Sequence, residues 1–142
     1  MFLVDTNVVS ELRKAKSGKA HRCVIAWAAK VPAGSLYLSV ITLLELEIGV
    51  LQIERRDTAQ GVIMRRWLDD HVLPAFSGRV LPVDTDVALK CARLQVPNRL
   101  GERNALIAAT AWAHGMTVVT RNVVDFEPSG VSLLNPWVAD GG

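Results

Sequence analysis

A series of short apolar runs, separated by longer stretches with helical spacing, constrains the fold of this chain more than any other feature. The first run, 2–4, has no alternation of apolar and polar residues, which predicts a strand covered on both faces. The predicted strands are 2–4, 36–40, 79–83, 117–120 and 131–134. The predicted helices begin at residue 6 and then span 23–31, 42–55, 57–71, 84–94 and 103–114. This alternation predicts an α/β fold with a parallel sheet.

The composition is that of a folded chain with an apolar excess. Of 142 residues, 50% are hydrophobic and 21% are charged, which excludes a disordered chain and predicts one domain over 1–142. The net charge of +2 is too small to indicate nucleic-acid binding by itself. No export or membrane-spanning segment is evident, so we expect a cytoplasmic protein. The apolar excess predicts that a partner chain covers part of its surface. Cys23 and Cys91 lack metal-ligand spacing and are predicted to be buried free thiols.

Polar residues follow three of the predicted strands. Asp5 ends the first strand, Asp84 follows the third, and Asn122 and Asp125 follow the fourth. In open parallel sheets, ligands bind beyond the carboxyl ends of the strands. An acid at such a position can instead cap a helix. Capping is the favoured role for Asp84, and it is less favoured for Asp5 because the Thr-Asn pair that follows could provide the cap.

Two further polar residues lie within apolar helical stretches. Thr42 and Glu45 have the spacing of a capping box, in which the glutamate would only close the start of a helix. Glu45 also lies among leucines, where a carboxylate is costly unless it is paired or binds a cation, so both roles stay open. Asn104 lies in the first turn of a predicted helix rich in small residues, and taken alone it is an ordinary residue at a helix start.

Four segments of the sequence resemble the motifs of the PIN-domain ribonucleases. They are Leu3–Glu11, Thr42–Gly49, Asn104–Ala111 and Val119–Phe126. The segments 78–84 and 134–137 resemble the VapC/FitB-like toxin branch of that family. The resemblance implies a three-layer α/β/α PIN-like domain with a central, mainly parallel sheet of short strands. It also implies an Mg²⁺- or Mn²⁺-dependent endoribonuclease that is the toxin of a VapBC-type (type II) toxin–antitoxin pair.

The family's acids map onto Asp5, Glu45, the position of Asn104 and the fourth motif, where Asn122 and Asp125 are alternatives. The resemblance implies that Asp5 ligates the metal directly and that Glu45 ligates it through water or orients the attacking water. Asp125, alone or with Asn122, would complete the metal site, in keeping with the oxygen ligands that Mg²⁺ prefers. The candidates for supporting or phosphate contacts are Thr6, Asn7, Thr120, Arg121 and Asn122.

Asn104 departs from the family pattern, which has Asp at this position. The amide removes one negative charge and one anionic ligand, so we expect weak metal binding and slow or absent RNA cleavage. The alternative function is therefore a catalytically silent PIN-fold protein that acts by binding an antitoxin and, through it, DNA.

The expected partners follow from the apolar excess and from the resemblance. They are a second copy of the chain, a VapB-type antitoxin, the RNA substrate and, only through the antitoxin, DNA. The predicted helices of 42–71 are the expected antitoxin groove, and Trp67 is the tryptophan best placed for a partner surface. The basic stretch 13–22 is open to three roles: solvated charge, phosphate steering, or a surface that faces the antitoxin.

Other classes of protein fit the sequence less well. A haloacid-dehalogenase-like phosphotransferase would need an acid at the position of Asn7. A receiver module would need an acidic pair before Asp5, and a nucleotide-binding Rossmann module would need a glycine-rich loop. None of these features is evident, and the three histidines have no metal-ligand spacing.

Overall fold

A five-stranded parallel sheet forms the centre of the protein. The structure, a computed structural model, describes residues 1–138. The strands are β1 (Phe2–Val4), β2 (Leu36–Ser39), β3 (Val80–Leu81), β4 (Thr117–Val119) and β5 (Leu133–Leu134). Their order across the sheet is β3-β2-β1-β4-β5, and every neighbouring pair is parallel. The predicted parallel sheet is therefore confirmed, with β1 at its centre.

Helices connect the strands. They are α1 (Thr6–Arg13), α2 (Arg22–Lys30), α3 (Val40–Arg56), α4 (Thr58–Arg66), α5 (Leu73–Ala75), α6 (Thr85–Leu94), α7 (Glu102–His114) and α8 (Val123–Phe126). The predicted helix 57–71 is more complex than expected, because a π-helical segment, Trp67–Val72, separates α4 from α5. Short 3-10 turns occupy Ala15–Ser17, Ala33–Ser35 and Glu127–Ser129.

The two faces of the sheet carry separate hydrophobic clusters. Val4 and Val119 pack in one cluster with residues of α1, α3 and the π-helical segment. Leu3 and Val118 pack in the other, mainly against α7. Adjacent strand residues thus point to opposite faces, and both faces are covered, which explains the absence of polar alternation. The result is the expected three-layer α/β/α arrangement.

Cys23 and Cys91 are free, as predicted, but both are only half-buried, so the prediction of buried thiols is wrong. The reason is that α2 and α6 lie at the periphery. Val24 and Val87 are the single buried residues of these two helices. In residues 1–138, we find no helix with the length and apolar character needed to cross a membrane.

Candidate active site

Asp5 lies at the carboxyl end of the central strand and is only 5% exposed. Its Oδ1 accepts a hydrogen bond from the backbone N–H of Thr6 at 2.8 Å, which caps α1. Its Oδ2 accepts bonds from the Thr120 hydroxyl at 2.8 Å and from the Asn7 amide at 3.2 Å. The alternative cap that the Thr-Asn pair offered is therefore not used. Asp5 is itself the cap, and the pair contributes other contacts.

The segment after β4 is tied to α1 by a polar network. The Asn7 amide also donates to the Thr120 hydroxyl at 3.3 Å, and Asn7 Oδ1 accepts from the backbone N–H of Arg121 at 3.1 Å. The Thr120 hydroxyl accepts from the backbone N–H of Asn122 at 3.0 Å. The Arg121 guanidinium lies 5.3 Å from the centre of the Trp137 ring. These contacts fix the orientation of the Asp5 carboxylate.

Glu45 is brought to Asp5 through a hydroxyl. Its Oε1 accepts a hydrogen bond from Thr6 Oγ1 at 2.8 Å, and the backbone N–H of Thr6 contacts Asp5. Thr42 and Glu45 do not form a capping box. Strand β2 ends earlier than expected, and Ser39 caps α3 by accepting from the N–H of Ile41. Thr42 is consequently inside the first turn, where its buried hydroxyl has no hydrogen-bond partner among residues 1–138.

Burial raises the pKa of the Asp5 carboxyl above its usual value of 3.8, and the negative charge of Glu45 acts in the same direction. Hydrogen bonds from Thr120, Thr6 and Asn7 oppose this rise without cancelling it. A divalent cation would offset the repulsion between the two carboxylates. Mg²⁺ binds through oxygen, commonly using one or two carboxylates, so Asp5 and Glu45 fit such an ion.

The other predicted site positions lie on α7 and α8. Asn104 is half-buried in the first turn of α7. Asp125 is exposed on α8, and its backbone N–H donates to the carbonyl of Asn122 at 3.1 Å. Within the described chain, no group of three or more His, Cys, Asp and Glu side chains is placed to hold a metal. The roles of Asn104, Asp125 and Asn122 at a metal site therefore stay predictions.

Arg103 is a site residue that the sequence did not reveal. Its Nη1 lies 3.7 Å from Glu45 Oε2, and the side chain is 53% exposed. The sequence shows only a charged residue at a helix start, and nothing in it tells which element the side chain faces. By contrast, the predicted cap is confirmed for Asp84, which accepts from the N–H of Val87 at 3.0 Å.

A groove of about 590 Å³ lies between α1 and α4, and neither Asp5 nor Glu45 lines it. Its lining combines apolar and basic side chains: Leu12, Arg13, Ala15, Lys16, Ile63, Arg66, Trp67 and His71. The Arg13 guanidinium lies 5.9 Å from the Trp67 ring centre. The basic stretch 13–22 is largely exposed, and within it Lys14 pairs with Glu11 at 3.2 Å. Trp67 is half-buried in the groove wall.

The PIN domain family model matches residues 2–126, and this chain belongs to that family. It is 40% identical over 142 residues to VapC ribonuclease Y4jK of Sinorhizobium fredii, covering 96% of this chain and 98% of that protein. The structure of FitAcB from Neisseria gonorrhoeae matches with a TM-score of 0.87 at 33% identity, over 96% of this chain and 99% of that one. FitAB bound to an IR36 DNA fragment matches with a TM-score of 0.88 at 32% identity, over 99% and 98%.

Proposed function

We propose that this chain is the toxin of a type II toxin–antitoxin pair and a metal-dependent endoribonuclease of the cytoplasm. The observation that carries the proposal is the buried Asp5 carboxylate, joined to Glu45 through Thr6 at the carboxyl end of the central strand. The similarity to a VapC ribonuclease supports the reaction. The similarity to FitAB and FitAcB supports the toxin role.

Asp5 and Glu45 would hold Mg²⁺ or Mn²⁺, with Asp125 or Asn122 as a further ligand. A bound ion would polarise a phosphoryl oxygen of the RNA and would make a bound water more acidic for phosphodiester hydrolysis. The protein's own contribution is orientation. Thr120 and Asn7 hold Asp5 Oδ2, while Thr6 holds Glu45 Oε1, so neither carboxylate rotates freely. Arg121 and Asn122 are candidates for contacts to the RNA phosphates.

Asn104 lowers the activity in this proposal. An amide at this position supplies no negative charge to a site where residues 1–138 bring only two acids together. The same observation favours a second candidate function, a catalytically silent PIN-fold protein that binds an antitoxin and, through it, DNA. Both candidates share the fold and the partner, and they differ in whether RNA is cut.

An RNA cleavage assay with Mg²⁺, Mn²⁺ or EDTA separates the two candidates. We expect slow cleavage that EDTA and Asp5→Asn abolish, and a rate about 10- to 100-fold higher for Asn104→Asp, as for other losses of support around a metal. Equal rates for the unaltered and Asn104→Asp chains would contradict the role given to Asn104. Absence of cleavage by both chains, with antitoxin binding retained, would favour the silent protein.

The proposed partners are a second copy of the chain and an antitoxin segment in the α1–α4 groove. The lining includes Arg13, Lys16 and Arg66 but no acidic side chain, and Trp67 provides an apolar wall. We expect Trp67→Ala to weaken binding of the co-expressed antitoxin, while Trp112→Ala, on the exposed side of α7, serves as the control. Light scattering on a sizing column tests the dimer. Equal effects of the two substitutions would exclude this groove.

A further inference from the structure

The Asp5–Glu45 pair has four carboxylate oxygens, and one of them has different surroundings from the other three. Both oxygens of Asp5 accept hydrogen bonds from within the chain, as does Glu45 Oε1. Glu45 Oε2 instead faces Arg103 Nη1 at 3.7 Å, which is beyond hydrogen-bond distance. Within residues 1–138, the one oxygen of the pair for which we find no hydrogen bond is therefore the one that a positive side chain approaches.

The Arg103 contact is a loose one. The Arg103 side chain is 53% exposed and that of Glu45 is 26% exposed, so solvent screens the pair. Arg65 is an example of a tightly held arginine in this chain. Arg65 binds both oxygens of Glu47 at 2.6 and 2.7 Å. Arg103 can therefore leave Glu45 at little cost when a stronger cation arrives.

We propose that Arg103 is a built-in competitor of the divalent cation, which occupies the electrostatic position beside Glu45 Oε2 and thereby weakens metal binding. This inference rests on the proposed function, because it requires that Glu45 take part in binding a metal. A guanidinium and a metal ion cannot both approach one carboxylate oxygen closely, because their charges repel. Metal binding then releases Arg103 to solvent, and removal of the guanidinium charge tightens metal binding.

The experiment is titration of the full chain with Mn²⁺ by isothermal calorimetry at neutral pH and low ionic strength. The variants are Arg103→Gln, which removes the charge, and Arg103→Lys, which keeps it. Arg99→Gln is the matched control, because Arg99 pairs with Glu102 at the start of the same helix, 3.0 Å apart and largely exposed. Each variant is also tested in the Glu45→Gln background, which makes a double-mutant cycle.

We expect Arg103→Gln to lower the Mn²⁺ dissociation constant by about two- to five-fold, the range for a partly exposed ion pair. Arg103→Lys and Arg99→Gln should stay close to the unaltered chain, and the Arg103→Gln effect should vanish with Glu45→Gln. Equal constants for Arg103→Gln and Arg99→Gln, in a chain that binds Mn²⁺, overturn the competition alone. Failure of every variant to bind Mn²⁺ overturns both the metal-dependent function and this inference.

Discussion

Glu45 and Glu47 lie two residues apart on α3, and their carboxylates meet different surroundings. Arg65 reaches across from α4 to bind both oxygens of Glu47, and it also contacts Glu54 at 3.0 Å. Glu45 points to the sheet edge, where Thr6 holds one oxygen and Arg103 faces the other loosely. Because neighbours two apart on a helix lie on different faces, one short stretch of α3 supports two tasks. A paired carboxylate ties two helices together, while a partly paired one remains able to bind a ligand.

The largest expected effect separates the two glutamates directly. Glu45→Gln should lower RNA cleavage by about 100-fold, because it removes a charge from the proposed metal site. Glu47→Gln should leave the rate close to that of the unaltered chain, since its partner is a structural arginine. Initial rates with Mg²⁺ measure both, in the unaltered and the Asn104→Asp chains. A comparable loss of activity in both variants would show that the two carboxylates do not have separate tasks.

The α3–α4 contact, which Arg65 supports, should also be sensitive to a single methyl group. A Cβ at Gly61 would lie 2.5 Å from the backbone Cα of Glu54, whereas a Cβ at Gly49 would meet nothing within 4 Å. We expect Gly61→Ala to lower the free energy of unfolding by about 1–3 kcal/mol through overpacking. Gly49→Ala, on α3, should raise it by about 0.5–1 kcal/mol, because alanine favours the helix. Urea unfolding measures both, and the same sign for the two would contradict this packing.

The smallest expected effect is the pH dependence of the Arg65 pairing. Hydrogen bonds from Arg65 hold the pKa of Glu47 below its usual value of 4.5. A lowered pKa in the folded state means that the pairing stabilises the protein above pH 4.5, and that this stability is lost as pH falls through the folded-state pKa. The melting temperature of Arg65→Gln should therefore lie below that of the unaltered chain at neutral pH, and the difference should shrink in acid. A difference independent of pH would exclude this linkage.

The sequence predicted the strands and their parallel arrangement well, because short apolar runs between helical stretches admit few other folds. It predicted the cap at Asp84, and it brought Asp5 and Glu45 forward as site residues. It placed the start of α3 wrongly, because a strand that yields to a helix at Ser39 leaves no turn residues to mark the change. The π-helical segment Trp67–Val72 likewise carries no local signal.

The side-chain partners of the site were beyond reach of the sequence. The hydroxyl of Thr6 could have capped α1, yet it donates to Glu45, 39 positions away. Arg103 faces Glu45 only because α7 packs near α3. Such long-range contacts depend on how helices pack around the sheet, and that packing is set by the whole core rather than by nearby residues.

The bond between Asp5 and Thr120 joins residues that are 115 positions apart. During synthesis the central strand β1 leaves the ribosome before β4, the strand that flanks it and leads into Thr120. Because translation runs from the amino to the carboxyl terminus, the bond that holds Asp5 Oδ2 forms only after Thr120 has been made.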